Sequence, residues 1–371
     1  MIRTLSFVLG MRWNILRVLM ALFVAWVLAA DFGARAARMA LSRLPGFDYA
    51  AEIDALRLQG RYGEAHMLAE AGLADPDANH EAIRVELSEV VSERDSVLRK
   101  LSDAGKGALI GRGETLESLI GALVTDFFLV GDIRDLVIEG GRYLVDGESD
   151  ELVVLLSVAG VVTTLAPEID WVPAIVKSAR KAGHVGEKFA RELIDIIRTE
   201  RAGDLKAMMI RIRDMSDVST PGAAMRWLRF VDSPKDLDTI AAFVSRGKKS
   251  AAALHVTGRS GAEFLKFAHA VDADTAARAA RLVEDAGRKG PAGAKFLESA
   301  AAKRLIRPHP LIGVSKGLIK GNLASAIERF AEKIDPWGGT LLALALSWLF
   351  VECGLMWWHV SEYRRSRTCP T

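Results

Sequence analysis

The sequence predicts an all-α protein, a multi-helix middle domain flanked by an N-terminal and a C-terminal transmembrane helix. Solenoid-like stacking is one form open to that middle domain. Three observations carry this reading: an apolar run lies near each end, apolar residues between them recur at helical spacing, and strand-like alternation and proline are scarce there. Half of the 371 residues are apolar and 26% are charged, which excludes general disorder. Mean hydropathy is +0.17, high for a chain that lives in water alone. Two cysteines exclude a disulfide scaffold and a Cys₄ zinc module.

The first segment, 1–45, holds the run Val18–Ala30. Adding Trp13–Arg17 lengthens it to about eighteen residues, near the lower limit for crossing a bilayer. Arg3, Arg12 and Arg17 precede it, the charge layout of a signal anchor. Leu28-Ala29-Ala30 puts a bulky residue where a signal peptidase prefers a small one, so an uncleaved anchor is favoured over a cleaved signal peptide.

The last segment, 334–371, gives the stronger membrane signal. Leu341–Val360 is almost wholly apolar, and Trp337 and Trp357-Trp358 bracket it as an interfacial belt does. From Trp337 to Trp358 a helix covers roughly 33 Å, the thickness of a bilayer core. Pro336-Trp337-Gly338-Gly339 breaks the chain before the span. Glu352 is the one carboxylate inside it, a candidate intramembrane contact. The alternative, snorkelling to the interface, is the favoured one.

Arginines flank both spans on both sides, so the positive-inside rule discriminates weakly. A basic N-terminus followed by an anchor exports what comes next, which places the protein at the inner membrane with a periplasmic middle domain.

Within the middle, Leu116, Leu119, Ile120, Leu123, Val124, Phe127 and Phe128 form one apolar stripe. Further helices are predicted at Glu81–Ser102, His184–Glu200, Ala202–Met215, Pro221–Val231, Lys235–Ser245 and Asp274–Ala286. Charge divides this region in two. Residues 46–170 form an acidic lobe with 25 acidic and 10 basic residues, and 171–333 a basic lobe with 18 acidic and 30 basic. Two explanations stay open: the lobes dock on each other, or the basic lobe meets anionic lipid or an acidic partner. Nucleic acid is set aside as a partner, because the basic residues are mixed with acids and lack interleaved aromatics.

Tyr49–Pro76 reads as a helical hairpin, with Ala55-Leu56, Gly60-Arg61-Tyr62, Glu64-Ala65, Leu68-Ala69, Leu73 and Asp75-Pro76. It resembles a single tetratricopeptide-type hairpin, which implies binding of protein partners; the tandem copies of that family are missing. Downstream, Gly261–Ala270 and Gly293–Ala302 share six of ten residues at a spacing of 32, a period that suits stacked hairpins.

The stretch Val130–Val176 contains an apolar run from Leu152 to Ala166, too short for an easy span. A buried core helix is the favoured reading, with a membrane-inserting hairpin gated by Asp150, Glu151, Glu168 and Asp170 as the alternative. Nearby, Asp132, Arg134 and Asp135 form a candidate polar cluster, for which a capped helix start is the simpler explanation.

No catalytic constellation emerges. The seven histidines show no HExxH, no HxH and no close acidic pairing, so no metal site is expected. Gly247-Lys248-Lys249-Ser250 resembles the end of a phosphate loop but lacks the leading glycine, since position 242 is Ala. The expectation is a non-enzymatic protein without cofactors that contacts membrane lipids and binds or scaffolds other proteins, or itself. The alternative is a membrane-active or channel-forming protein that inserts 130–176.

Overall fold

The computed structural model describes residues 2–108, 150–162, 171–307 and 338–368. Every regular element among the described residues is helical. The chain divides into two compact units, residues 44–299 and residues 1–43 with 300–371.

The 44–299 unit opens with a helical hairpin, α2 (Tyr49–Leu58) and α3 (Tyr62–Leu73). The side chain of Asp48 starts α2 by accepting from the Ala51 N–H at 3.1 Å, satisfying one of the amides that a first turn leaves unpaired. Tyr49, Ile53, Leu56, Ala65, Leu68 and Ala69 form a core that α4 (His80–Ala108) closes with Ile83 and Val90. Ala252 of α11 (Lys248–His269) belongs to the same core. The hairpin therefore buries its faces against α4 and α11, neither of them a second copy of itself.

A middle group follows: α5 (Glu151–Val162), α6 (Val172–Lys181), α7 (Glu187–Arg198), α8 (Ala202–Val218), α9 (Pro221–Trp227) with a 3₁₀ turn Leu228–Phe230, and α10 (Pro234–Val244). Their starts are written in the sequence. Thr220 Oγ1 accepts from Ala223 N–H at 2.9 Å and Ser233 Oγ from Asp236 N–H at 3.3 Å. Pro221 and Pro234 occupy the first turns, where a missing N–H costs nothing. α7 buries Phe189, Ala190, Leu193 and Ile196, one stripe at helical spacing. Leu152 and Leu156 of the 152–166 run are buried, and α5 packs on α6 and α7.

α11, α12 (Ala273–Gly287) and α13 (Gly290–Leu297) pack tightly on one another. A Cβ on Gly293 would lie 1.9 Å from the Ala286 carbonyl oxygen, so only glycine permits this approach. α11 is interrupted at Gly258, whose φ of 55° lies in the left-handed region.

The other unit comprises α1 (Ile2–Ser42), α14 (Ala300–Ile306) and α15 (Gly338–Thr368). Within it α1 packs on α14 and α15. The seam is small: Ala21, Ala25 and Ala37 on α1 and Ala345 on α15 are buried. Arg12–Ser42 and Gly339–Ser361 are each long and apolar enough to cross a membrane.

Candidate functional site

The densest set of polar groups on described residues surrounds Glu64, on α3. Its side chain is 2% exposed, an unusual place for a carboxylate. Small neighbours on α3 and the approach of α11 bury it, and three basic side chains surround it. Arg61 Nε donates to Oε1 at 3.0 Å, and its Nη2 donates to Oε2. Arg226 of α9 pairs with the same carboxylate. His255 of α11 places Nδ1 3.3 Å from Glu64 Oε2 and Nε2 3.3 Å from Glu52 Oε1.

Electrostatics follow from this crowding. Burial, and then the charges of Arg61 and Arg229, pull the Arg226 guanidinium down to about 9. Burial also holds His255 below the usual imidazole range, against the raising effect of Glu52. The hydrogen bond with His255 keeps Glu52 below the ordinary carboxylate value. His255 thus stands between two carboxylates, Glu52 and Glu64, the second of which also meets Arg61 and Arg226. Such an arrangement locks α2, α3, α9 and α11 together and offers no activated nucleophile.

The same chemistry recurs along the hairpin. Glu70 pairs with Lys248, and Asp75 lies 3.9 Å from Arg288. The Tyr49 hydroxyl donates to Asp75 at 3.3 Å; burial and the adjacent carboxylate push its ionisation well above the usual range. Asp150 accepts from Arg180 at 2.7 Å, and Glu151 pairs with Arg198. Acids from 46–170 thus meet bases from 171–299 inside one unit, the intramolecular explanation of the divided charge.

A second feature lies on α2 and α4. Arg57 is surrounded by Asp54, Glu86, Glu89 and Glu93, with Glu89 at 3.2 Å. Leu58, next to it, is 72% exposed.

The predicted cluster of Asp132, Arg134 and Asp135 lies outside the described residues, as do Glu168 and Asp170. Glu352 is described: its side chain is buried, Oε1 accepts from Trp348 Nε1 at 3.1 Å, and Oε2 has no hydrogen-bond partner among the described residues. The expectation of histidines without acidic neighbours is corrected. His66 Nδ1 lies 3.4 Å from Glu70 one turn on, and His255 meets two carboxylates from distant sequence. In the loop-like fragment, Lys248 pairs with Glu70 and Ser250 donates to Glu284 at 2.7 Å. Among the described residues no three His, Cys, Asp or Glu side chains converge as metal ligands. Sequence reasoning missed Glu64, Arg226 and His255, because they come together only in three dimensions.

No family model, curated protein or solved structure matches this chain.

Proposed function

We propose that this is a helical protein anchored in the bacterial inner membrane by α1 and α15, whose periplasmic 44–299 body binds or scaffolds another protein and carries out no chemistry of its own. The observation that carries the anchor is the apolar surface of the two long helices. Trp13 is 64% exposed, Phe350 81% and Trp357 73%, together with Leu19, Trp26, Leu344 and Val351. Leaving a large apolar side chain in water rather than burying it costs roughly 1.5–3 kcal/mol, so a surface of this composition favours lipid.

The helical hairpin supports the partner-binding part. Its stacking faces are covered by α4 and α11, and its α2–α4 side presents Asp54, Glu89 and Glu93 beside Leu58. A basic segment of another protein with one apolar side chain matches that surface. A photo-crosslinking amino acid at Leu58, with one at Glu192 as control, tests this in cells. A discrete adduct at Leu58 alone is the expected result; no adduct at either position contradicts partner binding through this face.

A further inference from the structure

α14 packs on α1 just past the apolar run that ends at Ala30. α14 buries Ala302 and Ile306, and the stretch of α1 beyond the run buries Ala37 and Leu41. A Cβ on Gly33 would stand 3.8 Å from Arg304 Nη1, which sets that guanidinium level with Gly33. Three residues of helix rise roughly 4.5 Å, so Arg304 reaches the helix about that far beyond Ala30.

Positive charge gathers at this level. Residues 32–43 contain Arg35, Arg38 and Arg43 and no acid; residues 300–307 contain Lys303, Arg304 and Arg307 and no acid. Arg307 closes α14, its N–H donating to the Arg304 carbonyl at 3.3 Å. Arg35 is half-buried, and the other five side chains are exposed. Arg38, Arg43, Arg304 and Arg307 form no ion pair with a described residue. Exposed Phe32 and Met39 bracket Arg35 and Arg38 along α1.

The dimensions of a bilayer give this level a meaning. From Trp13 to Ala30 a helix covers roughly 27 Å, close to one hydrocarbon core, and a headgroup layer adds roughly 5–8 Å beyond it. Gly33, and with it Arg304, falls in that layer, and so does Arg35. Helical side chains lean toward the N-terminus, so Arg38 reaches back toward the same layer. Lys303 and Arg307 flank Arg304 on α14 within one turn. Headgroups surround a helix pair on every side, so cations at one level suffice, whichever face each occupies. Basic side chains among apolar ones, with no carboxylate between them, suit a boundary that is anionic on one side and hydrocarbon on the other.

We propose that Arg35, Arg38, Lys303, Arg304 and Arg307 form a collar that binds the phosphate headgroups of anionic phospholipid at the C-terminal end of the α1 span, a proposal that rests on α1 crossing the membrane. Guanidinium forks pair with phosphate oxygens in two-pronged fashion, and several of them at one level draw anionic lipids together. A zwitterionic headgroup brings its own ammonium against the collar and gains less.

The test uses the full chain in a neutral detergent at low ionic strength, titrated with dioctanoyl phosphatidylglycerol and read by calorimetry. Dioctanoyl phosphatidylcholine, with the same acyl chains, is the control. The expected result is tighter binding of phosphatidylglycerol, an advantage that falls about fivefold in Arg38→Gln and in Arg307→Gln and shrinks as salt is added. Arg38→Lys and Arg307→Lys keep the charge and are expected to keep the advantage. Both side chains are exposed, so these variants keep the fold, and Lys206→Gln, exposed on α8, is expected to bind as the parent does. Equal binding of the two lipids, or an advantage unchanged in both glutamine variants, overturns the proposal. So does tighter binding of polyglutamate than of phosphatidylglycerol, lost in both variants, which would mark the collar as a contact for an acidic protein. Alkaline washing of membranes separates the collar from the anchor. Protein that stays membrane-bound and shows no lipid preference removes the collar alone, whereas protein released by the wash removes both.

Discussion

Nδ1 of His255 lies 3.3 Å from the Glu64 carboxylate, although the two residues stand on different helices and far apart in sequence. This contact, with the Arg226 pair beside it, ties the hairpin to α9 and α11. Glu64→Gln keeps the shape but removes the buried negative charge that Arg61 and Arg226 share. We expect a loss of about 3–5 kcal/mol in urea unfolding of the detergent-solubilised protein. A loss below about 1 kcal/mol would show that water or other groups already satisfy the arginines.

The histidines give the body a defined pH response. Burial holds His255, His66 and His184 below the usual imidazole value. A base with a lowered folded pKa takes up protons more readily when unfolded, so stability is intact above the unfolded value near 6.5 and falls as pH drops below it. Glu52, held low by His255, acts in the same direction at more acid pH: its contribution is present above the unfolded carboxylate value and lost as pH falls through the folded one. Unfolding free energy is therefore expected to decline from pH 7.5 to 5. His255→Gln, lower in stability at pH 7.5, should show a shallower decline; an unchanged slope contradicts the assignment.

Close helix approach sets another limit. Gly293→Ala would drive a Cβ against the Ala286 carbonyl, and backbone on both sides leaves nothing to yield. The expected cost is about 3 kcal/mol, read as a lower midpoint in denaturant. A neutral result would mean that α12 and α13 separate more easily than their packing implies.

By contrast, Lys248→Ala removes a solvent-accessible partner of Glu70. Thermal unfolding at moderate salt should register less than about 1 kcal/mol. A larger loss would place this pair among the groups that hold the hairpin down.

The helices were legible because their signals are local. Thr220-Pro221 and Ser233-Pro234 mark the starts of α9 and α10, and the predicted helix at Lys235–Ser245 differs from α10 by one residue at each end. Ala202–Met215 continues to Val218, where Ser219, with its hydroxyl on the Met215 carbonyl, ends the helix before Pro221. α11 was harder to read, since Gly258 interrupts its periodicity. The charge cluster left one trace only, the acidic excess before residue 170 and the basic excess after it. No spacing rule connects Glu64 to Arg226 or His255, because tertiary packing brings them together. The exposed apolar faces of α1 and α15 agree with hydropathy, which needs no tertiary information.

The central claim is a body held outside the cytoplasm by two membrane helices, and cysteine accessibility tests it most directly. With Cys353 and Cys369 replaced by serine, single cysteines are placed at Ser88, exposed on α4, and at Ser366, near the end of α15. Cells with a permeabilised outer membrane are then treated with a thiol reagent that cannot cross the inner membrane. Labelling at Ser88→Cys, with Ser366→Cys reacting only after the inner membrane is opened, is the expected result. Labelling at Ser366→Cys alone in intact cells, or equal labelling of both after alkaline washing has released the protein from the membrane, would contradict it.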